Sequence, residues 1–261
     1  MESVTIDNPN DRSFPFSREV FEDRHILYHG TWSTWSQRIE TEGFIPGSVP
    51  FDWQHVATVF RANKLVGRGS YLKLFLGENY PVKSPTCNLY LSANFWFARA
   101  YATDKGGEVV RKTIEEAEEF EDICANPQRL SQLKTHFEKA LREHGPHPPT
   151  QAAIEIIGNE EAINQLRTEV RAAKEALTNL TATGYPVVYA IHVEPEWLGE
   201  FWTRHISSWE DGEREVNLRC SGGPIPPDKL VTKASYPNGT DREFMPTWCS
   251  TWEEVVDLAT H

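Results

Sequence analysis

The sequence predicts an α+β chain in which strand-rich flanks enclose a large helical insertion. Three observations carry that prediction. Short apolar strands occur before Asp104 and return after Gly184. Between them, RKTIEEAEEFEDI, RLSQLKTHFEKALREH and EEAINQLRTEVRAAKEALTNL repeat apolar residues at helical spacing and are rich in helix formers. Neither flank looks complete alone, so 1–261 reads as one domain with 104–183 inserted in it.

The elements follow in order. Residues 1–24 are polar with scattered Phe, and read as an arm that packs late. His25-Ile26-Leu27-Tyr28-His29 is a short strand ending at Gly30. From Ser33 to Glu42, Trp35 and Ile39 fall on a helical spacing that Gly43 terminates. Leu89-Tyr90-Leu91 is a second strand, and Ser92 is placed to cap the helix ANFWFARAYA, with Phe97, Ala98 and Tyr101 on one face. The helical block breaks at Asn126-Pro127 and between Gly145 and Pro149. Strands resume over Tyr185 to Val193, Glu213 to Cys220 and Leu230 to Ser235.

Composition excludes several functions. With 38 acidic against 26 basic residues the net charge is −12, which argues against a broad polyanion-binding surface. One stretch departs from that balance. FRANKLVGRGSYLK carries Arg61, Lys64, Arg68 and Lys73 without an acid, and reads first as a solvated loop and strand edge, second as a phosphate-contacting loop. No apolar run approaches the roughly 18 residues that cross a bilayer, so no membrane partner is expected. MESVTIDNPNDR lacks the basic and apolar regions of a secretory signal. Cys87, Cys124, Cys220 and Cys249 lie far apart without a CxxC, against a zinc site or disulfide scaffold; the cytoplasm is the expected compartment. His144-x-x-His147 sits in a Pro-rich turn without further ligands nearby, so no metal is expected. A serine hydrolase and a dinucleotide dehydrogenase are excluded by the lack of GxSxG and GxGxxG.

Three segments carry candidate chemistry. The first is Tyr28-His29-Gly30-Thr31 at a strand end, before the helix that closes at Gly43-Phe44. The second runs from Tyr90-Leu91-Ser92 into Ala98-Arg99-Ala100-Tyr101, with two tyrosines eleven residues apart. Those rings are either core aromatics or a pair of faces for a flat heterocycle, with small Ala98 keeping the pocket open. The third is Glu213-Arg214-Glu215 at the start of an alternating strand, where an acid is either an exposed edge residue or functional.

In that order these segments resemble the ADP-ribosyltransferase fold, in its His-Tyr-Glu branch typified by diphtheria toxin and the poly(ADP-ribose) polymerases. The resemblance covers 26–44, 86–103 and 185–232. It implies a split antiparallel β-sandwich and an NAD-dependent mono-ADP-ribosyltransferase, a glycosyltransferase acting on a protein, DNA or RNA acceptor, as a toxin or defence effector does. It implies that His29 bonds a ribose hydroxyl of NAD, that Gly30 clamps the nicotinamide carboxamide with backbone groups, and that Tyr90 and Tyr101 stack on the nicotinamide. Thr31 and Ser92 belong to the same implied NAD-binding set, and Glu215, with His29 and Tyr90, forms the catalytic triad. Two departures stand out. Ala98 replaces the usual Ser, and Glu213-x-Glu215 resembles the paired-Glu turn of the arginine-modifying branch, so either glutamate is a candidate acid.

The residue types suit the chemistry. Cleaving the nicotinamide–ribose bond develops oxocarbenium character, which a nearby carboxylate stabilises. Stacking and a backbone clamp direct binding energy to orientation. The alternatives are an NAD glycohydrolase, a non-catalytic NAD- or ADP-ribose-binding module, and an interaction protein whose helical block meets a partner.

Overall fold

The computed structural model describes residues 1–23, 25–45, 49, 51–76, 89–194, 202–208, 214–220, 224–241, 243 and 251–258. For Tyr90 and for 202–208, 214–220, 255, 257 and 258 the description is of the backbone. The chain divides into two compact units: Met1–Pro50 with Thr86–Glu108 and Thr183–His261, and Phe51–Pro85 with Val109–Ala182. Residues 109–182 thus group with 51–85, which lie well outside the predicted insertion.

The first unit is built on one mixed sheet. Its strands are β1 (Glu2–Thr5), β2 (Ile26–Trp32), β3 (Leu89–Ser92), β4 (Pro186–His192), β5 (Trp202–Ser208), β6 (Arg214–Cys220) and β7 (Leu230–Ser235). They lie in the order β1-β7-β4-β2-β3-β6-β5. The α+β class predicted from the sequence is observed. The sheet is not wholly antiparallel, because β1 runs parallel to β7, from Glu2↔Thr232 to Thr5↔Ser235. Residues 1–23 pack on the sheet unit: β1 joins β7, and the rings of Phe14 and Phe16 are buried against Phe95 and Tyr28. Strand β5 went unpredicted.

Hydrogen-bond phase decides where the edge of β2 points. The Ser33 N–H donates to the Tyr185 carbonyl at 2.8 Å, and the Val193 N–H to the His25 carbonyl at 2.8 Å. Both pairs continue the β2–β4 register, so odd-numbered residues of β2 exchange bonds with β4. Tyr28 and Gly30, being even, turn their N–H and C=O the other way, toward β3. Pro186 opens β4, where its missing donor is tolerated, and its carbonyl accepts the Tyr236 N–H at 3.0 Å.

Side-chain alternation gives the sheet two apolar faces. Ile26, Tyr28, Val188, Ala190 and Ala234 pack on one face with Phe95, Trp96, Ala98 and Ala102. Leu27, Leu91, Tyr189 and Ile191 pack on the other with Ile39, Phe44 and Ile225. After the short α1 (Arg18–Glu22), helix α2 (Ser36–Glu42) supplies Ile39 and stops at Gly43 as predicted, at φ +80°. Helix α5 (Phe95–Ala102) is capped not by Ser92 but by Asn94, whose side chain accepts the Phe97 N–H at 3.1 Å. Ser92 still belongs to β3, where its backbone is extended.

The second unit is helical: α3 (Trp53–Leu65), α4 (Lys73–Leu76), most of α6 (Glu108–Cys124), α7 (Pro127–His144), α8 (Pro148–Ile157) and α9 (Glu160–Thr181). Val56, Val59 and Ala62 of α3 are buried with Phe120, Ile163 and Val170. Asn126 and Asn159 cap α7 and α9, and Gly145 ends α7. The basic stretch 60–73 is the end of α3 up to Leu65, then a loop of turns and irregular chain up to α4 at Lys73, with no strand edge among the described residues. Within it Arg68 pairs with Glu119, and the Glu116 carboxylate accepts from the Ser70 hydroxyl at 2.6 Å and the Tyr71 N–H at 2.7 Å, while Arg61, Lys64 and Lys73 are exposed. Among the described residues no helix is long and apolar enough to cross a membrane.

Candidate functional site

The three strands that bear the predicted residues are neighbours. β2 carries His29, Gly30 and Thr31; β3 carries Tyr90 and Ser92; β6 carries Glu215; and β2-β3-β6 are consecutive in the sheet. β3 pairs with β6 from Leu89↔Cys220 to Ser92↔Asn217. Glu215 lies two residues beyond Asn217 on β6, opposite Ser207 of β5. Glu213 lies outside the described residues, and Tyr90 and Glu215 are placed by their backbones.

Between β2 and β3 the sheet narrows. Among the described residues their ladder consists of Tyr28↔Ser92 alone. Continued in that register, Gly30 would oppose Tyr90, but that pair is not part of the ladder. The donor and acceptor of Gly30 therefore face β3 at a position beyond the one ladder pair of these strands among the described residues. On its other side Gly30 lies against α5: a Cβ there would stand 1.8 Å from the Ala98 carbonyl oxygen and 2.7 Å from the Ala102 nitrogen. Only glycine allows that approach.

Tyr101 lies on α5, one turn beyond Ala98. It is 49% exposed and makes an edge contact with Phe97, their centroids 4.9 Å apart. His29 lies on the opposite face of the sheet, as alternation along β2 requires. Its imidazole meets the Phe44 ring at 4.7 Å and 73°, and Phe44 in turn meets Tyr189 at 5.7 Å. The structure thus sets Gly30 against Ala98 and Ala102 of α5, the helix that bears Tyr101, and His29 on the Phe44 side.

Two further predicted residues are buried. Thr31 lies within the sheet, and the Ser92 hydroxyl oxygen accepts the Asn94 N–H at 3.0 Å, which shapes the turn into α5. Phe44 went unassigned although it touches His29; the signal was its place after the helix stop at Gly43. His144 ends α7, and His147 precedes α8 with Nδ1 3.1 Å from the Thr150 hydroxyl.

Compared with known proteins, the chain matches no family model, no characterised sequence and no solved structure.

Proposed function

We propose that the first unit is an NAD-dependent mono-ADP-ribosyltransferase of the split-sandwich type. It cleaves the nicotinamide–ribose bond and passes ADP-ribose to a macromolecular acceptor. The observation that carries this reading is the junction of β2, β3 and β6. Strands bearing His29, Tyr90 and Glu215 are adjacent there, and Gly30 turns a backbone donor and acceptor toward the interval between β2 and β3. A primary carboxamide offers the complementary acceptor and donor in one plane. On this reading α5, packed against Gly30, brings Tyr101 to the nicotinamide, and His29, on the other side of the strand, addresses the ribose. Glu215 supplies the negative charge that stabilises the oxocarbenium-like transition state and orients the incoming nucleophile. The narrowing to one β2–β3 pair supports the split sheet that this fold entails.

The test is incubation of the protein with adenylate-labelled NAD and cell lysate, followed by nuclease or protease digestion. The expected result is released nicotinamide with label on a macromolecule, removed by one digestion and not the other. Nicotinamide release without labelling would identify a glycohydrolase. Neither product forming, with NAD left intact, would end the reading.

A further inference from the structure

A polar cluster lies beside His29 on the Phe44 face of the sheet. Tyr189 is directly opposite His29 in the β2–β4 register, and Lys233 is directly opposite Tyr189 in the β4–β7 register. The three therefore form a cross-strand row on one face, where opposed side chains are contact neighbours. From α2, Glu40 closes over that row. A single carboxylate oxygen, Oε1, accepts from the Tyr189 hydroxyl at 2.9 Å and from Lys233 Nζ at 2.6 Å.

The Tyr189 side chain is fully buried. Burial, reinforced by the neighbouring Glu40 carboxylate, raises its phenol above the ordinary range, and its hydroxyl donates to Glu40. Its ring meets Phe44, and the Phe44 ring meets the imidazole. Phe44 itself has little freedom. Its N–H and C=O both bond Ile225, at 2.9 and 2.8 Å, and it follows Gly43, where a Cβ would stand 2.0 Å from the Ile225 carbonyl oxygen. The imidazole thus rests on a ring fixed from behind by the backbone and from the side by a hydrogen-bonded tyrosine.

We propose that Glu40 is a positioning residue for His29, acting through Tyr189 and Phe44. By joining α2 to β4 and β7 it fixes the wall against which the imidazole packs. The consequence for NAD rests on the function proposed above, whereas the placement of the imidazole does not.

The test uses the full chain labelled with ¹⁵N-histidine, with the His29 imidazole signals identified by their loss in His29→Gln. Glu40→Gln and Tyr189→Phe remove the charge or the hydroxyl and keep the shape. Both are expected to change the His29 ring-nitrogen pattern at constant pH while leaving the signals of His144 and His147 in place. Calorimetric NAD titration is expected to show affinity falling threefold or more. Should Tyr189→Phe not fold, Lys233→Met tests the same oxygen from the other side. An unchanged His29 pattern in folded Glu40→Gln and Lys233→Met would overturn the proposal. A changed pattern in a protein that never bound NAD would uphold the placement and remove the proposed function instead. A changed pattern with unchanged NAD affinity would overturn the link to the ligand.

Discussion

Gly30 and Ala98 lie in backbone contact, so close that a Cβ on Gly30 would stand 1.8 Å from the Ala98 carbonyl oxygen. The obstacle is a helix backbone and has no flexible end to swing aside. Gly30→Ala therefore has to push α5 off β2, an overpacking expected to cost about 1–3 kcal/mol. Urea denaturation measures it. Because α5 also carries Tyr101, the variant is expected to lose NAD affinity even below its unfolding midpoint; full stability would show that α5 yields without cost.

Tyr101 offers the opposite case. Half its surface is exposed, so Tyr101→Ala should change stability by less than about 0.5 kcal/mol. Losing a stacking face worth on the order of 1 kcal/mol should raise the NAD dissociation constant several-fold. Isothermal titration separates the two effects, and an unaltered binding curve would leave Tyr101 a plain surface residue.

Much of this arrangement was legible in the chain, for reasons that differ by element. The stop at Gly43, the strand through Tyr189 and the breaks before α7 and α8 follow from local chemistry: a left-handed glycine, an unbroken apolar run, and prolines at helix starts. The motif order also placed three candidate residues on strands that prove adjacent. Strand β1 was hidden because ESVT is short and polar and gains its place only by pairing with β7, more than 200 residues away. The helical character of 60–65 was hidden by the run of cations that continues past it, and the acid that answers Arg68, Glu119, lies far along the chain on α6. Which face His29 occupies depends on strand phase, and motif spacing alone does not reveal it.

Three tyrosines of the first unit are expected to make its stability fall steeply in alkali. Tyr28, Tyr189 and Tyr236 are buried, and desolvation is the leading cause that raises each phenol above the ordinary value. A folded chain keeps these protons, and an unfolded chain releases them from about pH 10 upward. The stabilisation they represent is complete below that pH and is lost as pH rises toward the folded values. Each contributes a slope of about 1.4 kcal/mol per pH unit, together about 4 kcal/mol per unit. Urea unfolding at stepped pH reads the slope, and Tyr28→Phe should reduce it by about a third. A flat profile to pH 11 would contradict it.

Glu215 and Glu213 are separated by their effect on turnover. A transition-state stabiliser acts on rate more than on ground-state binding. Glu215→Gln is expected to abolish transfer and keep NAD affinity within a few-fold. Activity retained in Glu215→Gln and lost in Glu213→Gln would move the acid by two residues. Activity retained in both would remove the enzyme reading altogether.

The helical unit sets the terms for testing acceptor choice. Val56, Val59 and Ala62 of α3 have no exposed surface, and their cover comes from Phe120, Ile163 and Val170 of α6 and α9. Excising 109–182 alone would strip that cover from α3. Such a protein should aggregate or bind a hydrophobic dye, whatever its function. Replacing 51–85 and 109–182 together by Gly/Ser linkers removes the whole core and leaves the sheet, its two apolar faces and α5. If the helical unit selects the acceptor, this shortened protein should bind NAD and hydrolyse it slowly without labelling a macromolecule. Labelling that persists would assign acceptor choice to the sheet unit. Loss of NAD binding, with the tyrosine and tryptophan fluorescence of a folded sheet unit retained, would make the helices part of the NAD site.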